Sequence, residues 1–442
     1  MTRLLEHHNR ARRVLDILDA DTAWLSEPDR RARFLKMSAS PYAFFRGANA
    51  LYWADVWHDW RFALFGGTEY TQNWLQGDAH VYNFGAYGHH DDAVRYGLDD
   101  FDDALIGDYQ YDLWRLTISV VLDARENAGL GPDATTKALT HLIAAYQNEL
   151  ARFRQGGVPE AVSLENAPKR LMPFLEKTTR RNSRAALLAK WTAQENGQRR
   201  LADRPGKLKR LPAHLASQLT HAITHTYPAT RTQPRDGDEA FKVLDTARRI
   251  GAGTGSLGID RFYVLLGNGN VDDDVILDVK AQTPPTAYQR MSDENRALWH
   301  EAFAHEGERH AAAFRALAEH PDCWLGWLEM DGKVFSVRER SPFKKDYPTH
   351  KVKKAKTYRK LAAAWGRILA HSHIRGAHAL WPDSPGRFAT SVCSQIDARP
   401  ERFRQVVITQ AFAYADCTVR DHRAFLEHRI AALLATDRDA PQ

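Results

Sequence analysis

Cysteine is scarce in this chain of 442 residues: there are three, Cys323, Cys393 and Cys417, far apart and odd in number. That argues against a disulfide framework and against a zinc site, which needs ligands grouped at short spacing, and points to a reducing cytoplasm. Apolar runs are short, none near the roughly 20 residues that span a bilayer. The opening Met1-Thr2-Arg3-Leu4-Leu5-Glu6-His7-His8 lacks the apolar centre of a signal peptide, so no membrane partner is expected. Charge is nearly balanced, with 61 Lys and Arg against 55 Asp and Glu for a net +6. The densest basic run, His350-Lys351-Val352-Lys353-Lys354-Ala355-Lys356, reads as a solvated face or a contact for an anionic partner. Without interleaved aromatics or a recognition motif, nucleic acid is not favoured. Internal repeats and low-complexity segments are missing too. What remains, 43% hydrophobic and 26% charged residues, is ordinary for a soluble globular protein of one large domain or two to three smaller ones.

Against that background, residues 77–116 stand out. Gly77-Asp78-Ala79-His80 is followed by Asn83, then by Asp100-Phe101-Asp102-Asp103-Ala104, then by Gly107-Asp108 with Asp112-Leu113. Asp78 and Asn83 have the spacing of the base and the metal-binding amide in a kinase catalytic loop. Asp100 falls where such enzymes carry a second metal-binding aspartate. Phosphoryl transfer needs this set: a carboxylate to orient an acceptor hydroxyl, and an amide with a carboxylate to hold Mg²⁺ on the phosphates. Each piece alone reads as a turn, since Asp and Asn bond nearby backbone; three in order point to a site. Three flanking acids leave the register open, so Asp102 is the fallback for Asp100. Asp112 has two readings, a site residue or a backbone clamp under the loop. Arg46, beside Gly47, also has two: an anion clamp, or a partner for a structural aspartate such as Asp112.

The rest of the chain supplies context. Residues 1–60, 113–122, 134–225, 293–319 and 355 onward carry helical periodicity. Tyr227 to Gly237 reads as a loop, and 241–250, 261–266 and 275–280 as a strand meander, with a further hairpin around Asp331-Gly332. Gly253-x-Gly255-Ser256-x-Gly258 lies between two strands, where a dinucleotide-binding loop would open a helix. Between strands it fits a lid whose backbone N–H groups approach ATP phosphates, and Lys280 ends the third strand in the Val-x-Lys position that pairs them. Of the following glutamates, Glu301, Glu306 and Glu308, the last is preferred as the partner of Lys280.

The segments resemble the aminoglycoside and choline phosphotransferases, small-molecule relatives of protein kinases. Their order differs: here the catalytic motif precedes the glycine loop. Reading from 241 to the end and restarting at residue 1 restores the kinase order, so the resemblance implies a circular permutation. Tyr358 to His373 then resembles the helix that precedes the catalytic loop.

The whole chain resembles an uncharacterised bacterial family, domain of unknown function 2252. The resemblance rests on Ser40-Pro41-Tyr42, Phe44-Phe45-Arg46-Gly47, the 77–85 and 100–102 motifs, Asp112-Leu113-x-Arg115-Leu116, Gly307-x-Arg309, Leu325-Gly326-Trp327 and Tyr414-Ala415-Asp416. One departure is Lys280-Ala281-Gln282 in place of an expected Lys-Glu-Ala.

The expected fold is therefore α+β and two-lobed, kinase-like and circularly permuted, with a mainly helical large lobe and a small antiparallel-sheet lobe. The expected division is 1–235 for the catalytic part of the large lobe, 236–345 for the small lobe, and 346–442 for the helical return. The expected activity is ATP- and Mg²⁺-dependent transfer to an unidentified acceptor hydroxyl. Asp78 acts on the acceptor, Asn83 and Asp100 on the metal. Lys280 meets Asp100 across the cleft. Alternatives are a metallophosphoesterase using Gly77-Asp78-Ala79-His80, with His371 and His373 as its terminal pair, a nucleotide-binding module without turnover, and nucleotidyl transfer.

Overall fold

Strands 261–267 and 275–281 are apolar at nearly every position because both faces of their sheet are covered. Successive side chains point to opposite faces. Phe262, Val264, Leu266, Leu277 and Val279 thus pack with Leu219, Ile223 and Trp324, while Tyr263, Leu265 and Ile276 pack with Leu188, Trp191 and Leu208. The computed structural model describes residues 9–88, 93–234, 237, 240–251 and 257–438, and within them the architecture is mixed α+β. The sheet has six antiparallel strands in the order Gly326–Met330, Lys333–Glu339, Val275–Ala281, Arg261–Gly267, Lys242–Arg249, Leu208–Arg210.

Two corrections follow from this packing. The 134–225 stretch is not continuously helical: Thr192–Glu195 and Gln198–Leu201 form a hairpin through Asn196 and Gly197, at φ 52° and 76°. Two left-handed residues in a row are what a two-residue hairpin turn requires. The sheet's cover also begins near Ser183, well before residue 235, because helix Arg184–Trp191 and helix Ala213–His225 contribute to its two cores.

The helical body is organised around Gln110–Asp123, all of whose 14 residues are buried. Helices Pro132–Arg154 and Ala355–Leu380 lie together at backbone contact: a Cβ on Gly366 would stand 2.2 Å from the Leu142 carbonyl oxygen. Gly366→Ala should therefore cost about 1–3 kcal/mol in chemical denaturation, since neither backbone can yield without repacking both helices. The first helix also meets a late one. Arg10 of helix Arg10–Thr22 binds Asp55 at 2.8 Å and Asp421 of helix Pro400–Phe425 at 2.6 Å. Among the described residues no helix is long and apolar enough to cross a membrane, and all three cysteines are buried.

Two short ladders position the remaining loops. Gln72–Leu75 pairs with Leu105–Asp108, and Phe84–Tyr87 pairs with Arg95–Leu98. Leu75 is thereby fixed opposite Leu105, and Phe84 opposite Leu98. Loops 76–83 and 99–104 are pinned at both ends and run side by side.

Candidate functional site

The two pinned loops touch at Gly77. It has φ 82°, and a Cβ there would lie 1.9 Å from the Asp103 carbonyl oxygen, so only glycine fits. Asp112, at the start of the buried helix, accepts from the backbone N–H groups of Gln76 at 2.6 Å and Gly77 at 2.9 Å. His373 stands 3.3 Å from the same carboxylate and meets the Tyr146 hydroxyl at 2.7 Å. Asp112 is thus a backbone clamp beneath the loop. The neighbouring His371 is bound to Glu149 at 2.9 Å. Both histidines are buried and engaged in holding helix Ala355–Leu380 in place.

Asp78 projects from this clamped loop. Arg115 donates to it from Nε at 2.6 Å, and His80 Nε2 lies 3.5 Å from its other oxygen. The Arg115 guanidinium is fully buried, over the rings of Phe45 and Tyr52 at 4.4 and 5.0 Å. Burial by itself would raise the Asp78 carboxyl, but Arg115 and His80 outweigh it and hold it at about 2. Burial pushes the His80 imidazole down. The Asn83 amide donates to the Asp78 carbonyl at 2.9 Å, which fixes the side chain beside the same turn. Arg46 does not pair with Asp112. It is exposed at the rim, 3.4 Å from His80 through Nε and 5.3 Å over the Tyr82 ring.

In the second loop the three acids divide their work. Asp103 is structural, taking the Thr286 N–H and hydroxyl, each at 2.7 Å, and the Asn49 amide at 3.2 Å. Asp102, and not Asp100, meets Lys280: the ammonium pairs directly with its Oδ2. Gln282 donates to the other oxygen at 3.2 Å while also holding Ser336 at 2.9 Å. His310 Nε2 approaches Asp102 at 3.5 Å. Burial pushes the His310 imidazole down to about 3, so it faces Asp102 as a neutral ring. Burial and then the Asp102 charge push the Asp100 carboxyl up to about 6. Burial would raise Asp102 as well, but Lys280 draws it well below the usual carboxylate range.

Arg309 is a residue to which the sequence reading assigns no role. Wholly buried, it donates to the carbonyls of Asp102 and Ala104, each at 2.9 Å, and is neutralised by Glu306 at 2.6 Å. It fixes the acidic loop to helix Glu306–Leu317. Glu308, the preferred partner of Lys280, lies apart from it. Its carboxylate accepts from the Ala304 N–H at 2.9 Å, in the segment just before the helix. Gly253, Gly255 and Ser256 lie outside the described residues. Gly258, at φ 74°, approaches Leu25 so closely that a Cβ would stand 2.4 Å from its Cδ2.

Above the loops, the same sheet face carries Arg261 paired to Asp278 at 2.7 Å, and Arg338 donating to the Asp99 carbonyl at 3.2 Å. Lys344 reaches the Asp99 carboxylate at 3.0 Å. These groups line a cavity between the sheet and the end of strand Arg95–Leu98. The site is thus a row of oxygen donors on two fixed loops, faced by cations from a sheet encoded far along the chain. Among the described residues no cluster of three or more His, Cys, Asp or Glu side chains could hold a metal by itself.

Residues 28–428 match the model of a family described as an uncharacterized protein conserved in bacteria, DUF2252. The chain belongs to that family. The match takes in both loops, Lys280 and Arg309, so every element of the site lies within the family's span. No curated protein and no solved structure matches the chain.

Proposed function

We propose that this member of the family is an ATP- and Mg²⁺-dependent phosphotransferase acting on an acceptor hydroxyl, on a two-lobed, circularly permuted kinase-like scaffold. The observation that supports it most is the pairing of Lys280 with Asp102, 178 residues earlier, beside the loop that carries Asp78 and Asn83. A phosphate-binding amine, a metal-binding carboxylate and an acceptor-binding carboxylate must share one small volume for this chemistry. The contact of helix Arg10–Thr22 with helix Pro400–Phe425 through Arg10 and Asp421 brings early and late segments of the chain together, which fits a permuted scaffold.

The donor set suits the cofactors. Asn83, Asp100 and Asp102 offer the hard oxygen ligands that Mg²⁺ prefers while leaving positions for phosphate and water. Bound there, the ion would neutralise charge on the phosphates. Lys280, held meanwhile by Asp102, which Gln282 also binds, is the amine that exchanges a carboxylate for a phosphate. Asp78 is held near 2 and is a weak base, poorly matched to removing a proton early. Its work is to orient the acceptor O–H and take the proton late, which a loose phosphoryl-transfer transition state allows. Arg115 keeps it ionised and aimed.

The test is a thermal-shift panel of nucleotides with and without Mg²⁺. ATP with Mg²⁺ should raise the melting temperature, the shift corresponding to about 2.7 kcal/mol at a ligand concentration 100 times Kd. Chelation should remove most of it. No shift with any nucleotide, together with a shift on Mn²⁺ alone, would favour a metallophosphoesterase. Release of ADP or of pyrophosphate on turnover separates phosphoryl from nucleotidyl transfer.

A further inference from the structure

A second anion site adjoins the first. A groove runs between the segment 169–182 and the segment 345–357. Lys169, Arg170, Lys177 and Arg181 stand on one wall, and Lys345, Lys351, Lys353 and Lys354 on the other, all exposed. Asp346 is the single carboxylate in the lining, and none of these cations forms an ion pair among the described residues. The full chain carries only +6, so the groove concentrates positive charge far above the molecule's average. Like charges gathered in a concavity raise the local potential and repel one another until an anion neutralises them.

One wall of the groove is bonded to the segment that follows Asp78. Lys345 and Asp346 form a ladder with Ala86 and Gly85, in the strand that follows Asn83. The Tyr82 hydroxyl meets Thr349 Oγ1 at 2.9 Å, Arg46 lies over the Tyr82 ring at 5.3 Å, and Arg46 reaches His80 at 3.4 Å. Arg46 and His80 thus lie along the chain of contacts that links the groove's wall to Asp78. Its aromatic wall is unsuited to stacking bases, because Phe174 and Tyr347 pack edge to face on each other at 5.1 Å.

We infer that the groove binds the acceptor, and that the acceptor is a small phosphorylated molecule that presents a hydroxyl to Asp78. The inference rests on the phosphotransferase reading for the word acceptor, but the binding itself can be measured apart from it. Inositol hexakisphosphate serves as the probe, with unphosphorylated inositol as control, titrated into the full chain by calorimetry. The groove variant is Lys351→Glu with Lys354→Glu, both exposed positions; the control, Lys137→Glu with Lys209→Glu, changes net charge equally elsewhere. The ATP–Mg²⁺ thermal shift is recorded for every protein.

The expected result is binding of the hexakisphosphate, not of inositol, weakened about tenfold or more in the groove variant through loss of charge-assisted contacts, with the ATP–Mg²⁺ shift unchanged. Equal binding in both double variants, with the ATP–Mg²⁺ shift intact, overturns the groove and leaves the phosphotransferase standing. Tighter binding of single-stranded RNA, or of phosphatidylserine vesicles, lost in the groove variant, overturns the small-molecule assignment. Groove-dependent binding without any ATP–Mg²⁺ shift sinks the phosphotransferase, and the acceptor assignment with it.

Discussion

Asp78→Asn should lower turnover by about 10²–10⁴-fold, the usual cost of removing a positioned carboxylate from proton transfer. Nucleotide binding should persist, because Asp78 acts on the acceptor. A complication comes from Arg115, which is fully buried with Asp78 as its anionic partner. Stripping a buried ion pair of one charge costs about 3–5 kcal/mol, somewhat less here because Asp78 is 20% exposed and Asn still accepts a hydrogen bond. Lost activity could then reflect lost protein. The double variant Asp78→Asn with Arg115→Met separates the two, since removing both charges from a buried pair is often nearly neutral. It should regain stability in urea denaturation and remain inactive. Turnover close to wild type in a folded Asp78→Asn protein would remove Asp78 from the mechanism.

The parts of this site that were legible in the sequence are those written within one segment. Asp78 with Asn83, and the sheet strand that carries Lys280, stand in runs whose spacing or periodicity carries the information. The register of the acidic loop is not of that kind. Asp100, Asp102 and Asp103 differ only in where a tight turn aims them, and the turn is set by Arg309 gripping carbonyls from a helix 205 to 207 residues away. Glu308 misleads for a related reason: from the first turn of its helix it reaches back to the backbone N–H of Ala304, just before the helix, and is spent there. Two signals could have been read. Arg115 stands within the apolar run of its helix, between Trp114 and Leu116, and a buried arginine demands a carboxylate. Asn196-Gly197 is a strong short-range hairpin signal inside a stretch of helical appearance.

The largest binding effect is expected at Lys280. Lys280→Met keeps the length and apolar stem of the side chain and removes its charge. A hydrogen bond to a charged group contributes about 1.5–3 kcal/mol, so ATP–Mg²⁺ should bind roughly ten- to a hundredfold more weakly. The substitution also leaves Asp102 beside Asp100 without the ammonium that neutralises it, and that has its own signature. Lys280 holds the Asp102 carboxyl well below its usual value in the folded chain. A depressed carboxylate contributes stability that is present above its unfolded pKa of about 3.9 and drains away as pH falls below it. Wild type should show that acid-limb loss, and Lys280→Met should show less of it, because its Asp102 no longer prefers the ionised form. Lys280→Arg restores a charge in a broader, planar shape, so it should recover the acid limb and recover ATP affinity only in part. Melting curves from pH 3 to 7, paired with ATP titrations at pH 7, report the two effects separately. If the acid limb changes as described while ATP–Mg²⁺ binds with unchanged affinity, the amine is a structural tie between the sheet and the acidic loop, and another cation must hold the phosphates. Arg338, on the same sheet face and bonded there to a backbone carbonyl, would be the next to replace.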